Sequence, residues 1–293
     1  MFGLLNIEKP PGLTSRDAVD QIQRLVRPWR VGHAGTLDPL ATGVLIILVG
    51  PATRLTEYLH RYDKEYEAQF LLGQISDTED VTGAVQPLSD APRPTEAAIQ
   101  GAAALLVGEI QQRPPAFSAL RVGGRRAYDL ARRGQPAALP TRPVVVHGIE
   151  IVRYDYPLLE LRVRCGTGTY VRSLGRDLAE SLGTGATMSR LCRTRIGPFP
   201  LDQSVGLSRL SSAEEVANHL HPPRTALQGL PTVTLDARQA RDLSFARPLT
   251  LAVDPQSELA AVNADGELLA VLAYRPTGTW HPAKNFIATH EAS

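Results

Sequence analysis

The sequence predicts an α+β protein in two parts, a large mixed unit over residues 1–229 and a small β unit over residues 230–293. Three observations carry that expectation. Helix-period and strand-period segments interleave through the first part. Pro222, Pro223 and Pro231 then bracket a linker. Beyond it, "PTVTLD", "ELAAVNADGELLAVLAYR" and "NFIATH" read as short alternating strands, one pair joined by a hairpin turn at Ala264-Asp265-Gly266.

In chain order, Thr14 with Asp17 three residues on has capping-box spacing, and Ala18, Val19, Ile22, Leu25 and Val26 share one helical face. A helix therefore opens at Thr14, and Pro28 stops it. "VGHAGTLDPLATGVL", residues 31–45, follows as a loop carrying Asp38. "KEYEAQFLLG" alternates as a strand, with Lys64, Tyr66, Ala68 and Phe70 on one side. The acidic stretch "GQISDTEDVTG" reads as a loop whose Asp77, Glu79 and Asp80 lack calcium-loop spacing, and an Ala-rich helix begins near Thr95. "RPPAFSALRVGGRRAYDLARRGQPAALPTRP" reads as a long projecting loop around a short helix. "LLELRVRCGTGTYVRSLGRDLAESLG" starts as a strand with Leu159, Leu161, Val163 and Cys165 inward, then turns into a helix whose Val171, Leu174 and Leu178 face the core. Arg172 lies off that stripe.

Hydrophobic residues at 43% and charged residues at 21% are ordinary globular values and exclude a disordered or collagenous chain. Cys165 and Cys192 stand apart from any Cys/His cluster, so they read as buried thiols and no zinc site is expected. The start "MFGLLNIEKPPG" has no secretory pattern, and the longest apolar run, Val44 to Val49, is far short of a bilayer span. A soluble cytoplasmic protein without a membrane segment is the expectation.

The net charge is only +1, yet its distribution is uneven. From Arg113 to Arg142 seven arginines stand against one acid, Asp129, and from Arg162 to Arg195 seven more stand against Asp177 and Glu180. Local acids that would balance a solvated face are missing, so the two segments read as a footprint for a polyanion. For Asp38 the local pattern leaves two readings open. Asp before Pro39 can cap a turn or helix; a carboxylate on a Gly-flanked turn near His33 can also be a reactive group.

Six segments together resemble the TruB family of tRNA pseudouridine synthases: "LNIEKPPGLTSRDAV", "GHAGTLDPLATGVL", "KEYEAQF", "RPPAFSALRVGGRRAYDLARRG", "GTGTYVRSLGRDL" and "SRLCRTRIGPF", in family order. The resemblance implies a mostly antiparallel central sheet flanked by helices, the pseudouridine synthase fold, followed by a PUA-like RNA-binding β-domain. It implies conversion of uridine 55 in the tRNA T stem-loop to pseudouridine, without metal or organic cofactor. A monomer is the default expectation, with the oligomeric state left open by the sequence. It also assigns residues. Asp38 matches the catalytic aspartate, Tyr66 the tyrosine that stacks on the target base, and Tyr170 and Arg172 the Tyr-x-Arg pair. Leu191 matches the apolar contact, and His33 the histidine that fills the space a displaced base leaves. Lys64, one of three lysines, and Arg121, Arg125 and Arg126 are further candidate RNA contacts. Three departures are visible: Arg121 where Lys is common, Cys192 where Arg is common, and Gly166-Thr167 in place of a Ser-containing pair.

The chemistry suits these residue types. Moving uracil from an N1 to a C5 linkage adds and removes nothing, so a single ionised carboxylate can serve as nucleophile or base. In a pocket that excludes water it needs a positive neighbour, for which Arg172 is the candidate. A stacked base must be extruded and held between an aromatic and an apolar face, as Tyr66 and Leu191 would do.

Overall fold

The computed structural model describes residues 1–118, 120–122, 124–135, 139–254 and 257–287; of Arg121, Val122, Arg125 and Arg126 it describes the backbone alone. Strand β1 (Gly3–Lys9) leads to helix α1 (Ser15–Leu25), then β2 (Val31–Ala34), β3 (Thr42–Val49), α2 (Thr56–Arg61) and β4 (Lys64–Leu72). A short ladder, β5 (Gln74–Ser76) with β6 (Val85–Pro87), flanks the acidic loop and precedes α3 (Glu96–Leu105) and β7 (Gly108–Gln112). The Arg-rich segment holds a two-residue ladder, β8 (Arg121–Val122) with β9 (Arg125–Arg126), and helix α4 (Ala127–Arg132). Long strands β10 (Arg142–Asp155) and β11 (Leu158–Cys165) form a hairpin, followed by α5 (Val171–Ser181), β12 (Ala186–Ile196), β13 (Phe199–Pro200), β14 (Val205–Gly206) and α6 (Ala213–Asn218).

The central sheet has ten strands, in the order β14-β1-β3-β12-β4-β11-β10-β7, with β13 on β12 and β2 on β3. Only the β1–β14 and β3–β12 pairings are parallel, so the expected mixed, mostly antiparallel sheet is the observed one. The capping box at Thr14 forms in both directions, with Asp17 N–H on Thr14 Oγ1 at 3.1 Å and Thr14 N–H on Asp17 Oδ2 at 2.8 Å. Strand β4 alternates as its sequence requires, burying Lys64, Tyr66, Ala68 and Phe70.

The apolar run of β3 has a structural reason. Leu45, Ile47 and Val49 face the core beneath α1, whereas Val44, Ile46 and Leu48 face a second core shared with Ala260, Leu268 and Val271 of the C-terminal unit. A strand covered on both faces needs apolar residues at every position.

The C-terminal sheet runs β15 (Thr232–Thr234), β16 (Glu258–Val262), β17 (Leu268–Arg275), β18 (Thr279–Asn285). Two expectations change here. The unit also carries α7 (Ala237–Ser244), capped by Asp236. And the last strand is Thr279–Asn285 rather than "NFIATH", whose Ala288, Thr289 and His290 lie outside the described residues. Both cysteines are buried thiols.

Candidate active site

Asp38 sits on the loop between β2 and β3, and no helix follows it, so its carboxylate caps nothing. Its backbone is fixed by side chains and loops from elsewhere. Ser15 Oγ accepts the Leu37 N–H at 2.8 Å, and the Gly12 N–H donates to the Pro39 carbonyl at 2.8 Å. Buried Lys9 donates to the carbonyls of Pro10 and Leu13, both at 2.8 Å, and lies 3.5 Å from that of Pro39. Arg193, 2% exposed, donates to the carbonyls of Val44 at 2.8 Å and Gly35 at 2.9 Å. A loop with no ladder of its own thus has its polar backbone groups satisfied, as burial demands. Gly43, at φ +94°, is required where β3 passes Arg193: a Cβ there would stand 2.3 Å from the Arg193 carbonyl oxygen.

Arg172, second residue of α5, reaches this loop. Its Nε lies 3.0 Å from Asp38 Oδ2; Nη1 donates to the Thr78 carbonyl at 2.6 Å and Nη2 to the Phe117 carbonyl at 2.9 Å. Asp80 Oδ2 is 3.8 Å from Nη1. The guanidinium is therefore held on three sides and only 5% exposed, while Asp38 remains 35% exposed. Asp38 Oδ1 accepts no hydrogen bond from the described residues. One carboxylate oxygen is pinned to a buried cation and the other faces outward.

Asp80 is itself held by Thr78 Oγ1 at 2.8 Å and the Thr82 N–H at 2.9 Å. Beside it, Glu79 accepts from Ser173 Oγ at 3.0 Å and pairs with Arg176, so the acidic loop is gripped by three residues of α5. The expectation that Arg162–Arg195 forms an outward polyanion footprint is corrected for three of its arginines: Arg172, Arg176 and Arg193 turn inward. Their partners are carboxylates and carbonyls distant in sequence, which local charge counting cannot see.

Tyr66 on β4 and Leu191 on β12 lie on adjacent strands, Tyr66 level with Arg193 and Leu191 with Ala68, and both are nearly covered. Burial raises the Tyr66 phenol above its ordinary pKa, against the lowering influence of Arg193, so the phenol stays protonated at neutral pH. His33 on β2 is half-buried; burial first, then Arg193, lowers its pKa, and its Nδ1 has no partner among the described residues. Tyr170 precedes α5 and exchanges backbone bonds with the Gln112 amide, at 2.8 and 3.0 Å, beneath the Arg142 guanidinium 5.0 Å from its ring centre. Lys64 does not point to a ligand: it is buried and donates to the carbonyls of His60 and Tyr62, with burial lowering its pKa to about 8. The side chains of Arg121, Arg125 and Arg126 lie outside what is described.

Sequence reasoning thus brings Asp38, Arg172, Tyr66 and Leu191 to one region, and misses Lys9, Asp80 and the inward role of Arg193. Lys9 had a signal: it stands in "EKPPG", beside two prolines, where an exposed lysine has no evident purpose. Among the described residues no group of three or more His, Cys, Asp or Glu is placed to hold a metal ion.

The fold is that of the pseudouridine synthases. A solved structure titled a Cbf5-Nop10-Gar1 complex superposes with a TM-score of 0.75 at 26% identity, covering 98% of this chain and 86% of that one. The family description "TruB family pseudouridylate synthase (N terminal domain)" matches residues 23–171, and "tRNA pseudouridylate synthase B C-terminal domain" matches residues 172–229. The chain belongs to the TruB family. Relatives named tRNA pseudouridine synthase B include one from Synechocystis sp., 47% identical over 81% of each chain. Another, from Dehalococcoides mccartyi, is 39% identical over 98% of this chain and 97% of its own.

Proposed function

We propose that the protein converts uridine 55 in the T arm of tRNA to pseudouridine, acting in the cytoplasm as a monomer and needing no metal or organic cofactor. The observation that carries this is the Asp38–Arg172 pair, a carboxylate with one oxygen fixed 3.0 Å from a buried guanidinium and the other open to a substrate. Residues 1–229 form the catalytic domain, with an RNA-binding segment at about 113–142, and residues 230–293 a PUA-like RNA-binding domain. No helix is long and apolar enough to cross a membrane among the described residues.

In the reaction the ribose C1′–N1 bond breaks, the uracil turns, a C1′–C5 bond forms, and the C5 proton leaves as N1 gains one. Asp38 Oδ1 serves as nucleophile or base, and Arg172 keeps the carboxylate charged and aimed. The target base leaves its stack and enters between Tyr66 and Leu191. Because both side chains are nearly covered in the free protein, base entry requires them to be uncovered. Tyr66 supplies a ring face and a hydroxyl donor, and its raised pKa makes it unsuited to act as a base near neutrality. Tyr170 packs at the start of α5 and keeps Arg172 in register. His33, neutral and flanked by Gly32 and Ala34, fills the space the base vacates. Arg121, Arg125 and Arg126 lie along phosphates and set affinity more than sequence choice.

The test is incubation with unmodified tRNA carrying tritium at uridine C5. Tritium release with the base retained is expected from the native chain, absent for Asp38→Asn and for tRNA with cytidine at position 55. Binding without release would point to a tRNA-folding factor, and free uracil to a glycosidase; either outcome overturns the proposal.

A further inference from the structure

Trp29 is 42% exposed, whereas the other tryptophan, Trp280, is 1% exposed. Single exposed apolar residues are ordinary, so its surroundings decide whether it matters. Arg24, Arg27 and Arg30 are all exposed around it, and none has an acidic partner among the described residues. Between Gln21 and Thr56 the only acid is Asp38, which faces the cleft. Phe245, also exposed, differs: the arginine over its ring, Arg247, is paired with Asp242 at 3.1 Å.

The corner that carries Trp29 is built firmly. Trp29 N–H donates to the Val26 carbonyl at 3.0 Å, the Gln23 amide donates to the Trp29 carbonyl at 2.5 Å and accepts the Val31 N–H at 3.0 Å, and Gly50 N–H donates to the Arg30 carbonyl at 2.7 Å. The indole edge lies against Gly50, so the ring is supported from below and open above. Arg24 Nε donates to the Asp20 carbonyl at 3.1 Å, and none of the three guanidinium groups meets a carboxylate among the described residues; a fixed aromatic face among such arginines is suited to stack a nucleobase and hold its phosphates. Charge complementarity selects a polyanion over an apolar protein partner.

Its place in the fold gives its role. The eight residues of β3 run from the Asp38 loop to Gly50, a span of more than about 20 Å at about 3.3 Å per residue. From Gly50 a short helical turn reaches Arg54, whose guanidinium contacts the Asn285 carbonyl and the Phe286 ring of the C-terminal unit. The corner stands at the far end of β3 from Asp38, on the side of the second unit.

We propose that Trp29, flanked by Arg24, Arg27 and Arg30, is a second RNA contact that stacks an unpaired nucleotide of tRNA outside the arm whose uridine enters the cleft. The proposal rests on the tRNA reading above, and two substrates keep the two separable: full-length tRNA, and a hairpin restricted to the T arm. If the native chain isomerises neither, that reading fails first.

For Trp29→Ala, KM on full-length tRNA is expected to rise about five- to a hundred-fold, the range for one lost stacked base. kcat stays unchanged, as do both constants on the hairpin; Trp29→Phe recovers most of the loss. For the pair Arg27→Ala and Arg30→Ala, the salt dependence of tRNA binding is expected to weaken by roughly 0.7–0.9 per arginine in its logarithmic slope. Full-length tRNA should quench the exposed tryptophan emission of the native chain, and the hairpin should not. An unchanged KM on tRNA, leaving the corner to a protein partner, would overturn the proposal. So would an equal loss on tRNA and hairpin, which would mark damage to the cleft or the fold.

Discussion

Replacing Arg172 tests the centre of the site, because its neighbours fix what each substitution removes. Arg172→Met takes away the 3.0 Å contact to Asp38 and the donors to Thr78 and Phe117, and leaves Asp80, 6% exposed, without its nearest cation. Breaking a buried pair from one side typically costs about 3–5 kcal/mol. The Thr78 and Thr82 donors to Asp80 place the expected loss toward the lower end of that range. The ion pair with Asp38, buried on one side and part-exposed on the other, lies between surface and buried pairs at about 1.5–3 kcal/mol, or about ten- to a hundred-and-fifty-fold in rate if it is needed in the transition state. Arg172→Lys keeps the charge but cannot span three acceptors, so an intermediate loss of stability is expected, with kcat down at least about ten-fold and KM little changed. Adding Asp80→Asn to Arg172→Met removes the stranded charge and should restore part of the stability without restoring kcat. Urea unfolding and tritium release measure the two quantities separately. Full activity in Arg172→Met, or recovery of kcat in the double variant, would refute the assignment of Arg172 as the group that aims Asp38.

Gly43→Ala drives a Cβ to 2.3 Å from the Arg193 carbonyl oxygen at a φ of +94°; a loss of at least about 1–3 kcal/mol in urea unfolding is expected, with kcat falling as Arg193 shifts. Gly175→Ala places a Cβ 2.0 Å from the Phe70 ring; overpacking should cost about 1–3 kcal/mol and lower kcat by tilting the helix that carries Arg172, and an unaffected kcat would separate the helix position from activity. Burial holds Lys9 and Lys64 down to about 8 from 10.5, so the unfolded chain binds more protons above pH 8 and stability rises with pH there. Unfolding free energy measured from pH 8 to 9.5, below the tyrosine range, should climb by up to about 1.4 kcal/mol per pH unit for each lysine, partly offset near pH 9 because burial holds the Cys165 thiol up at about 11 and only the unfolded chain loses that proton. In a Cys165→Ala background Lys64→Met should remove about half of the slope, and a flat profile in that background would contradict it.

What was legible in the sequence had a period. Helix α1, strand β4 and helix α5 each bury one face against one core, so apolar spacing records them. Helix α7 left little trace because "ARQARDLS" buries only Leu243. The last strand was displaced because Pro282 lies inside it, and proline argues against a strand wherever a ladder bond is needed. The Asp38 motif could be found, yet its cap-or-reagent ambiguity could not be resolved locally. The structure removes the cap, since no helix follows Pro39, and brings to the carboxylate Arg172, more than a hundred residues later.

The arginines give the deeper reason. A guanidinium looks the same in sequence whether it awaits a phosphate or closes a carbonyl. Arg193 is almost fully enclosed, donates to two main-chain oxygens and lies beside the Tyr66 hydroxyl, and it pairs with no carboxylate among the described residues. Asp38 and Arg193 act oppositely on buried Lys9: the carboxylate raises its pKa and the guanidinium lowers it. The carboxylate thus lies between Arg172, 3.0 Å away, and Lys9, whose ammonium also holds the loop. Lys9 and Arg193 hold the loop while Arg172 contacts the carboxylate, so the position of Asp38 depends on residues from three separate segments of the chain.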